Sequence, residues 1–190
     1  MTRGVSRENL SRFVDLFEKW NRSINLSAAT TRAEILEHVE DSLQVVPVLD
    51  GRRRVLDVGS GGGFPVVVAA ICLPQVAFTS LEPIHKKHAF LRTAARELGL
   101  ANLEPRAERI EDHLVRNYDA AMSRATFDLA EWLATGRQYV APGGIVIGFE
   151  AVPRSDLPPV VRHPYSVAGK DRTLVVFHVE HNESSTAGSD

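Results

Sequence analysis

The 190-residue sequence contains one cysteine, Cys72, so no disulfide framework can hold it together. Cys72 lies in the apolar run "VVVAAICLP" and reads as a small core side chain rather than a reactive thiol. Long apolar runs are missing too: nothing approaches the roughly 18 residues of a membrane-spanning helix, and the opening "MTRGVSRENL" has no signal-peptide apolar segment. The expectation is a cytoplasmic protein with no membrane partner. An excess of positive charge is also lacking, because 22 Lys and Arg stand against 24 Asp and Glu, for a net charge of -2. No overall basic field therefore announces a nucleic-acid partner, although a local basic face stays permitted. No internal repeat is present, no metal-ligand set is expected, and the polar, small-residue segment 182–190 is expected to be a disordered tail.

What is present is the patterning of one α/β domain with a helical extension. From Ser6 onward, Leu10, Phe13, Leu16, Phe17 and Trp20 fall at helical spacing. A second helical stripe, "RAEILEHVEDSLQVVPVLD", carries Ile35, Leu36, Val39, Leu43 and Val46 before Pro47 disturbs it. Then the period changes. "RRVLDVG" reads as a strand, "FPVVVAAICLP" as a helix with proline at its start, "VAFTSLEP" as a strand and "HKKHAFLRTAARELGL" as a helix ended by Gly99. "ANLEPRAERI" is a weaker strand because of Pro105, "YDAAMSRA" is a fourth, "LAEWLATGRQYV" a helix, and "APGGIVIGFE" a tight turn leading into a fifth strand. "RTLVVFHV" closes the series, with Val167 in a possible antiparallel partner. Strands alternating with helices imply a mostly parallel sheet covered on both faces. This divides the chain into a helical cap over residues 1–50, an α/β domain over 51–181 and the tail.

"VLDVGSGGGFP", residues 55–65, places four glycines at the first strand-to-helix turn, where an α/β sheet meets its ligand. Gly59, Gly61, Gly62 and Gly63 do not make the dinucleotide fingerprint G-x-G-x-x-G, since Phe64 occupies the third glycine position. No Gly-Lys-Ser/Thr follows, so the phosphate P-loop fails as well. A turn without Cβ atoms offers backbone groups and room, and the adjacent Asp57 can organise a ligand's ammonium end. Glu82, closing the second strand, can accept from both hydroxyls of a ribose.

Asp57-Val-Gly59-Ser60-Gly61-Gly-Gly63 resembles motif I of the class I S-adenosylmethionine (AdoMet) methyltransferases. "KWNRSINLSA" (19–28), "HVEDSL" (38–43), "DVGSGGGFP", "KKHAFL" (86–91), "RAE" (106–108) and "SRA" (123–125) resemble, in order, segments of the GidB/RsmG methyltransferases, which methylate N7 of a guanine in bacterial 16S rRNA. The resemblance implies a Rossmann-like class I methyltransferase fold with a mostly parallel seven-stranded sheet, helices on both faces and an N-terminal helical extension. It implies AdoMet as cofactor, S-adenosylhomocysteine as product, and small-subunit rRNA or the ribosomal particle as partner of a monomer. By the same resemblance the cofactor lies against Asp57, Gly59, Ser60, Gly61, Gly63 and Phe64, with Glu82 on the ribose and Ala107 and Glu108 flanking the adenine. Ser123 and Arg124, at the end of strand four, take the catalytic position, with Arg124 also touching the cofactor. Asn25, His38, Asp41 and Ser42 close over the site from the substrate side, joined by Lys86 and Lys87.

The chemistry fits such a site. Guanine N7 has a free lone pair and no proton to lose, so positioning and exclusion of water matter more than a general base. Arg22, Arg32, Arg52, Arg53, Arg54, Lys86, Lys87 and Arg92 are candidates for phosphate contacts. Three features depart from the family's pattern: Val66 follows Pro65 where glycine is usual, Glu150 ends strand five where Lys-Gly is usual, and "PRSDLPPVVRHP" is too short and proline-rich for the family's helix. Two further readings stay open, a methyltransferase acting on a small molecule or another nucleic acid, and a non-catalytic AdoMet-binding protein.

Overall fold

Phe13 and Phe17, one helical turn apart, are both fully buried and fix how the first helix lies on the rest of the chain. In the computed structural model, which describes residues 2–180, α1 runs over Thr2–Ile24 and packs its aromatic face on Phe64 and Phe90, with ring centroids 5.1–6.4 Å apart. The expected tail, 182–190, lies outside the described residues. α2 spans Arg32–Leu43 and starts at a capping box, in which the Thr31 hydroxyl accepts from the Glu34 N–H and the Glu34 carboxylate accepts from the Thr31 N–H. A short α3, Val46–Leu49, begins where Pro47 interrupts the stripe.

The α/β part follows as β1 Arg54–Val58, α4 Val66–Cys72, β2 Ala77–Leu81, α5 His85–Glu97, β3 Leu103–Arg106, a 3₁₀ turn Ile110–Asp112, β4 Tyr118–Met122, α6 Leu129–Gly136, β5 Val140–Glu150, β6 Val161–Val167 and β7 Lys170–His178. The seven strands form one sheet in the order β3-β2-β1-β4-β5-β7-β6. All neighbours are parallel except β7, which runs antiparallel to β5 and β6. Along β1 the side chains alternate: Val55 faces the core shared with α1, α2, α4 and α5, while Leu56 and Val58 face a second core built around Trp132 and Tyr118. The period of two in the strands thus separates two apolar layers.

Two of the three strands that contain proline are edge strands, and the third, β5, carries Pro142 in the irregular start of its pairing. Pro105 lies in β3 and Pro164 in β6, at the two ends of the order, where a missing N–H breaks no central ladder bond. Two boundaries differ from the sequence reading. The helix expected over "LAEWLATGRQYV" ends at Gly136, because Tyr139 turns into the second core and donates its hydroxyl to the Ile110 carbonyl at 2.6 Å. The "PGG" expected as a turn before strand five lies inside β5: the pairing jumps from Tyr118↔Val140 to Ala120↔Ile145, and Gly143 at φ 81° absorbs the irregularity. β6 is also longer than the partner suggested by Val167 alone. It meets β7 through the two-residue turn Ala168-Gly169, both at positive φ, the geometry of a tight hairpin.

Candidate active site

The glycine turn is pinned to the neighbouring strand, because the N–H groups of Gly59 and Ser60 both donate to the Leu81 carbonyl, at 2.9 and 3.2 Å. Gly59, Gly61 and Gly63 have φ of 71°, 52° and 85°, a region that disfavours any residue with a Cβ. Their surroundings differ. A Cβ on Gly59 would lie 2.2 Å from the Thr126 hydroxyl, one on Gly62 2.5 Å from the Phe17 ring, and one on Gly63 2.6 Å from Val67. Only at Gly61 is the nearest atom as far as 3.8 Å. Three of the four glycines are therefore crowded by the protein's own side chains, and Gly61 alone leaves room for a Cβ, which would make ordinary contact with the Gly59 carbonyl oxygen.

Beside the turn is a cleft of about 400 Å³ bordered by Gly59 to Gly62, Phe64, Glu82, Lys87, Arg124 and Thr126. Glu82 is buried, and its two oxygens accept from the N–H groups of Gly61 and Ile84, each at 2.8 Å. It thus holds the turn and the start of α5 together while each oxygen keeps a second lone pair. Asp57, beneath the turn, is 1% exposed, and its Oδ2 has no hydrogen-bond partner. Burial pushes this carboxyl up to about 7, against the lowering pull of Ser60 and Arg124. A buried carboxylate with an unused oxygen, next to an open glycine, is suited to a cationic ligand group. AdoMet carries one in its ammonium, so the residues present fit that cofactor.

Arg124 stands at the end of the cleft and also lines a second cavity of about 460 Å³ with His38, Asp41, Tyr165 and Arg172. Its Nη1 donates to Asp41 Oδ2 at 2.7 Å, and its guanidinium lies 5.5 Å from the centre of the Phe64 ring. The other Asp41 oxygen accepts from the Tyr165 hydroxyl at 2.6 Å. His38, one turn earlier on α2, packs its ring 5.3 Å from that of Phe64. Burial, and then the charge of Arg124, hold its imidazole below the usual range.

The structure brings Gly59, Ser60, Gly61, Phe64, Glu82, Arg124, His38 and Asp41 to the borders of the two cavities, with Lys87 on the cleft and exposed Asn25 beside Lys87 in an adjoining groove, whereas Asp57 and Gly63 belong to the same strand and turn but border neither cavity. It does not bring all the expected residues there. Ser42 is buried with its hydroxyl on the His38 carbonyl, as a helix-internal bond. Ser123 is buried and donates to the Val58 carbonyl at 2.8 Å, tying β4 to β1. Glu108 gives its carboxylate to buried His113 at 2.6 Å, and it and exposed Ala107 lie just beyond β3, outside the residues that border the cleft. Lys86 is exposed and borders neither cavity. Among the candidate phosphate contacts, Arg52 to Arg54 precede and begin β1, at the end of the sheet opposite the glycine turn, where the Arg53 and Arg54 N–H groups donate to Asp119. Arg32 is paired with Asp15 and Glu18.

The departures from the family's pattern also take definite places. Val66 is fully buried in the first core, so its bulk points away from the cleft. Glu150 is buried, accepts from the Arg154 N–H at 2.7 Å and from Arg162 Nε at 3.1 Å, and so anchors the short segment 151–160 with its charge neutralised. Tyr165, Arg172 and Thr126 are site residues that sequence reasoning missed.

The chain matches the GidB family, described as rRNA small subunit methyltransferase G, over residues 6–156. It is 44% identical over 137 residues to ribosomal RNA small subunit methyltransferase G of Laribacter hongkongensis, an alignment covering 71% of this chain and 66% of that protein. With the protein of the same name from Aromatoleum aromaticum it shares 36% identity over 91% of this chain and 90% of the relative. Among solved structures it is similar to the S-adenosylmethionine-dependent methyltransferase SibL in its apo form, with a TM-score of 0.62, 19% identity and coverage of 77% and 56% of the two chains. A SAM-dependent methyltransferase from Aquifex aeolicus matches with a TM-score of 0.55 and 16% identity, over 76% of this chain and 95% of that one. At those identities the likeness concerns the fold, which is the Rossmann-like fold of class I methyltransferases. The family match, the two relatives and the fold agree, and the chain belongs to the GidB family of rRNA small subunit methyltransferase G proteins.

Proposed function

We propose that the protein transfers a methyl group from AdoMet to N7 of a guanine in small-subunit ribosomal RNA. The observation that carries the reading is the pairing, in a GidB-family chain, of an open Gly61 with the unpartnered buried oxygen of Asp57. AdoMet supplies an electrophilic methyl on a sulfonium. Asp57 would hold the cationic amino-acid end, the Gly61 turn would leave room for it, and the spare lone pairs of Glu82 would take the ribose hydroxyls. Ala107 and Glu108, following β3, would limit the adenine side.

For the acceptor, Arg124 and the α2 residues His38 and Asp41 wall the cavity that shares an edge with the cleft. Phe64, against which the His38 ring and the Arg124 guanidinium both pack, shields that edge from water. N7 has no proton to lose, so no residue has to act as a base, and a neutral His38 suits this role. Alignment and dehydration are then the main contributions of the protein. Arg22, Asn25 and Lys87 border the adjoining groove, from which RNA would approach; Arg22 and Lys87, with exposed Lys86 next in the chain, would neutralise phosphates, and the neutral amide of Asn25 would hydrogen-bond to them. Residues 1–50 act as a helical cap that delivers α2 to the methyltransferase domain, 51–181. We place this reaction in the cytoplasm and assign it to a monomer.

Glu150, an acid where the family usually has a lysine, is bound to Arg162, so its charge does not oppose an anionic acceptor. The test is calorimetric titration with AdoMet, followed by transfer of labelled methyl to deproteinised small-subunit rRNA and to the intact subunit. Binding with label mapped to a guanine N7 is the expected result. Binding without label in either RNA would overturn the substrate assignment, and no binding would overturn the cofactor assignment.

A further inference from the structure

Asp41 lies within reach of two guanidinium groups but forms a short contact with only one. Arg124 Nη1 is 2.7 Å from Oδ2, whereas Arg172 Nε is 3.7 Å from Oδ1, too far for a hydrogen bond. That Arg172 nitrogen is buried and has no hydrogen-bond partner, an unfavourable state for a charged donor. The oxygen nearer to Arg172 is already engaged, because the hydroxyl of Tyr165, the residue opposite Arg172 in the β6–β7 register, donates to Oδ1 at 2.6 Å. Each oxygen of Asp41 is thereby assigned, one to Tyr165 and one to Arg124.

We propose that Tyr165 is a positioning residue for Arg124: by occupying one oxygen of Asp41 it keeps the carboxylate turned toward Arg124 and away from Arg172. Arg124 in turn is held over Phe64 at the edge shared by the two cavities, with the rest of its donor fork available there. This rests on the reading that methyl transfer takes place at that edge. Tyr165 and Arg172 both lie on the β6–β7 hairpin, beyond the segment matched to the family, and no motif in the sequence points to either.

Removing the hydroxyl leaves Oδ1 to the unsatisfied Arg172 donor. The carboxylate then swings toward Arg172, and Arg124 loses its tether without any cavity being opened. Tyr165→Phe should lower kcat by about tenfold or more, the effect of one hydrogen bond to a charged group, and leave the AdoMet Kd within about twofold. A purely structural tyrosine would not predict the next result: adding Arg172→Gln to Tyr165→Phe removes the competing cation and should restore most of the lost kcat. In an Asp41→Asn background, Tyr165→Phe should cost little more, because its route to Arg124 is already cut.

A readout that needs no activity accompanies the kinetics. Nitrogen-15 NMR of the arginine side chains in the free protein should show slow exchange of the Arg124 guanidinium protons, lost in Tyr165→Phe and regained in the double variant. Wild-type kcat and unchanged Arg124 signals in Tyr165→Phe, or a loss that Arg172→Gln does not relieve, would overturn the proposal. Absence of methyl transfer by the unmodified protein would instead overturn the functional reading, and the NMR series would still decide the positioning role.

Discussion

The carboxylate of Asp41 and the guanidinium of Arg124 meet at 2.7 Å across 83 residues of chain, with side-chain exposures of 7% and 17%. Truncating one partner of such a shielded pair leaves the other uncompensated. Asp41→Ala strands Arg124 and Arg172 together, so a loss of about 3 kcal/mol is expected by urea unfolding. Arg124→Ala should cost less, because Arg172 and Tyr165 still face the carboxylate. The double variant should fall short of the sum of the two, and additivity would mean that the pair does not interact in solution.

The four glycines separate into two classes that mutation can distinguish. Gly62→Ala drives a methyl to within 2.5 Å of the Phe17 ring, a core overpacking expected to cost about 1–3 kcal/mol. Gly61→Ala meets no close atom, so it should lose only the roughly 1–2 kcal/mol of a left-handed alanine and remain folded. Its AdoMet Kd should nevertheless rise at least tenfold, because its methyl enters the cleft. Thermal unfolding and calorimetry on both proteins check the contrast, and a Gly61→Ala protein that binds AdoMet normally would remove Gly61 from the site.

Asp57 couples pH to both stability and binding. Its carboxyl is raised from 3.8 to about 7 in the folded protein, so the folded state holds a proton that the unfolded state has released. The corresponding stability is complete below about pH 4 and is lost as pH rises through 7, amounting to about 4 kcal/mol for this group alone. Asp57→Asn should therefore be more stable than the parent at pH 8, which denaturant titration would register as a higher midpoint. Binding has the opposite sign, because only the ionised carboxylate attracts an ammonium. AdoMet affinity should strengthen as pH rises from 6 to 8 in the parent, and be weak and nearly flat in Asp57→Asn.

Glu150→Lys would restore the charge sign usual in the family at this position, yet here it would be destructive. A lysine would face Arg162 and leave the Arg154 N–H without its acceptor. We expect a loss of about 2–4 kcal/mol and increased proteolysis within residues 151–160. A variant as stable as the parent would show that the segment is held by something other than Glu150.

Much of this molecule was legible from periodicity. The face of Phe13 and Phe17 and the alternation of strands and helices both follow from local pattern. What escaped were contacts between distant segments. Tyr165 sits in "VRHPYSV", where Pro164 and mixed polarity give no clear strand rhythm, and its partner Asp41 is 124 positions away. The fate of Glu150 depended on Arg162 arriving from another strand. The glycine turn reads from sequence as room for a ligand, but at Gly59, Gly62 and Gly63 the groups that come close are Thr126, Phe17 and Val67, which composition cannot name. Ser42 and Ser123 carried motif positions, yet their hydroxyls bond main-chain carbonyls.

Strand β7 is inserted between β5 and β6 and runs against the first of them, so the sheet is finished by the last part of the described chain to be translated. Asp41 emerges early and waits for Tyr165, a loop closure that is entropically costly and slow to find. During synthesis the nascent chain can assemble its glycine turn and first five strands while Arg124 still lacks its tyrosine-set anchor. Competence would then be acquired in one late step, as the hairpin docks and Leu174, Val175 and Val176 of β7 complete the two cores.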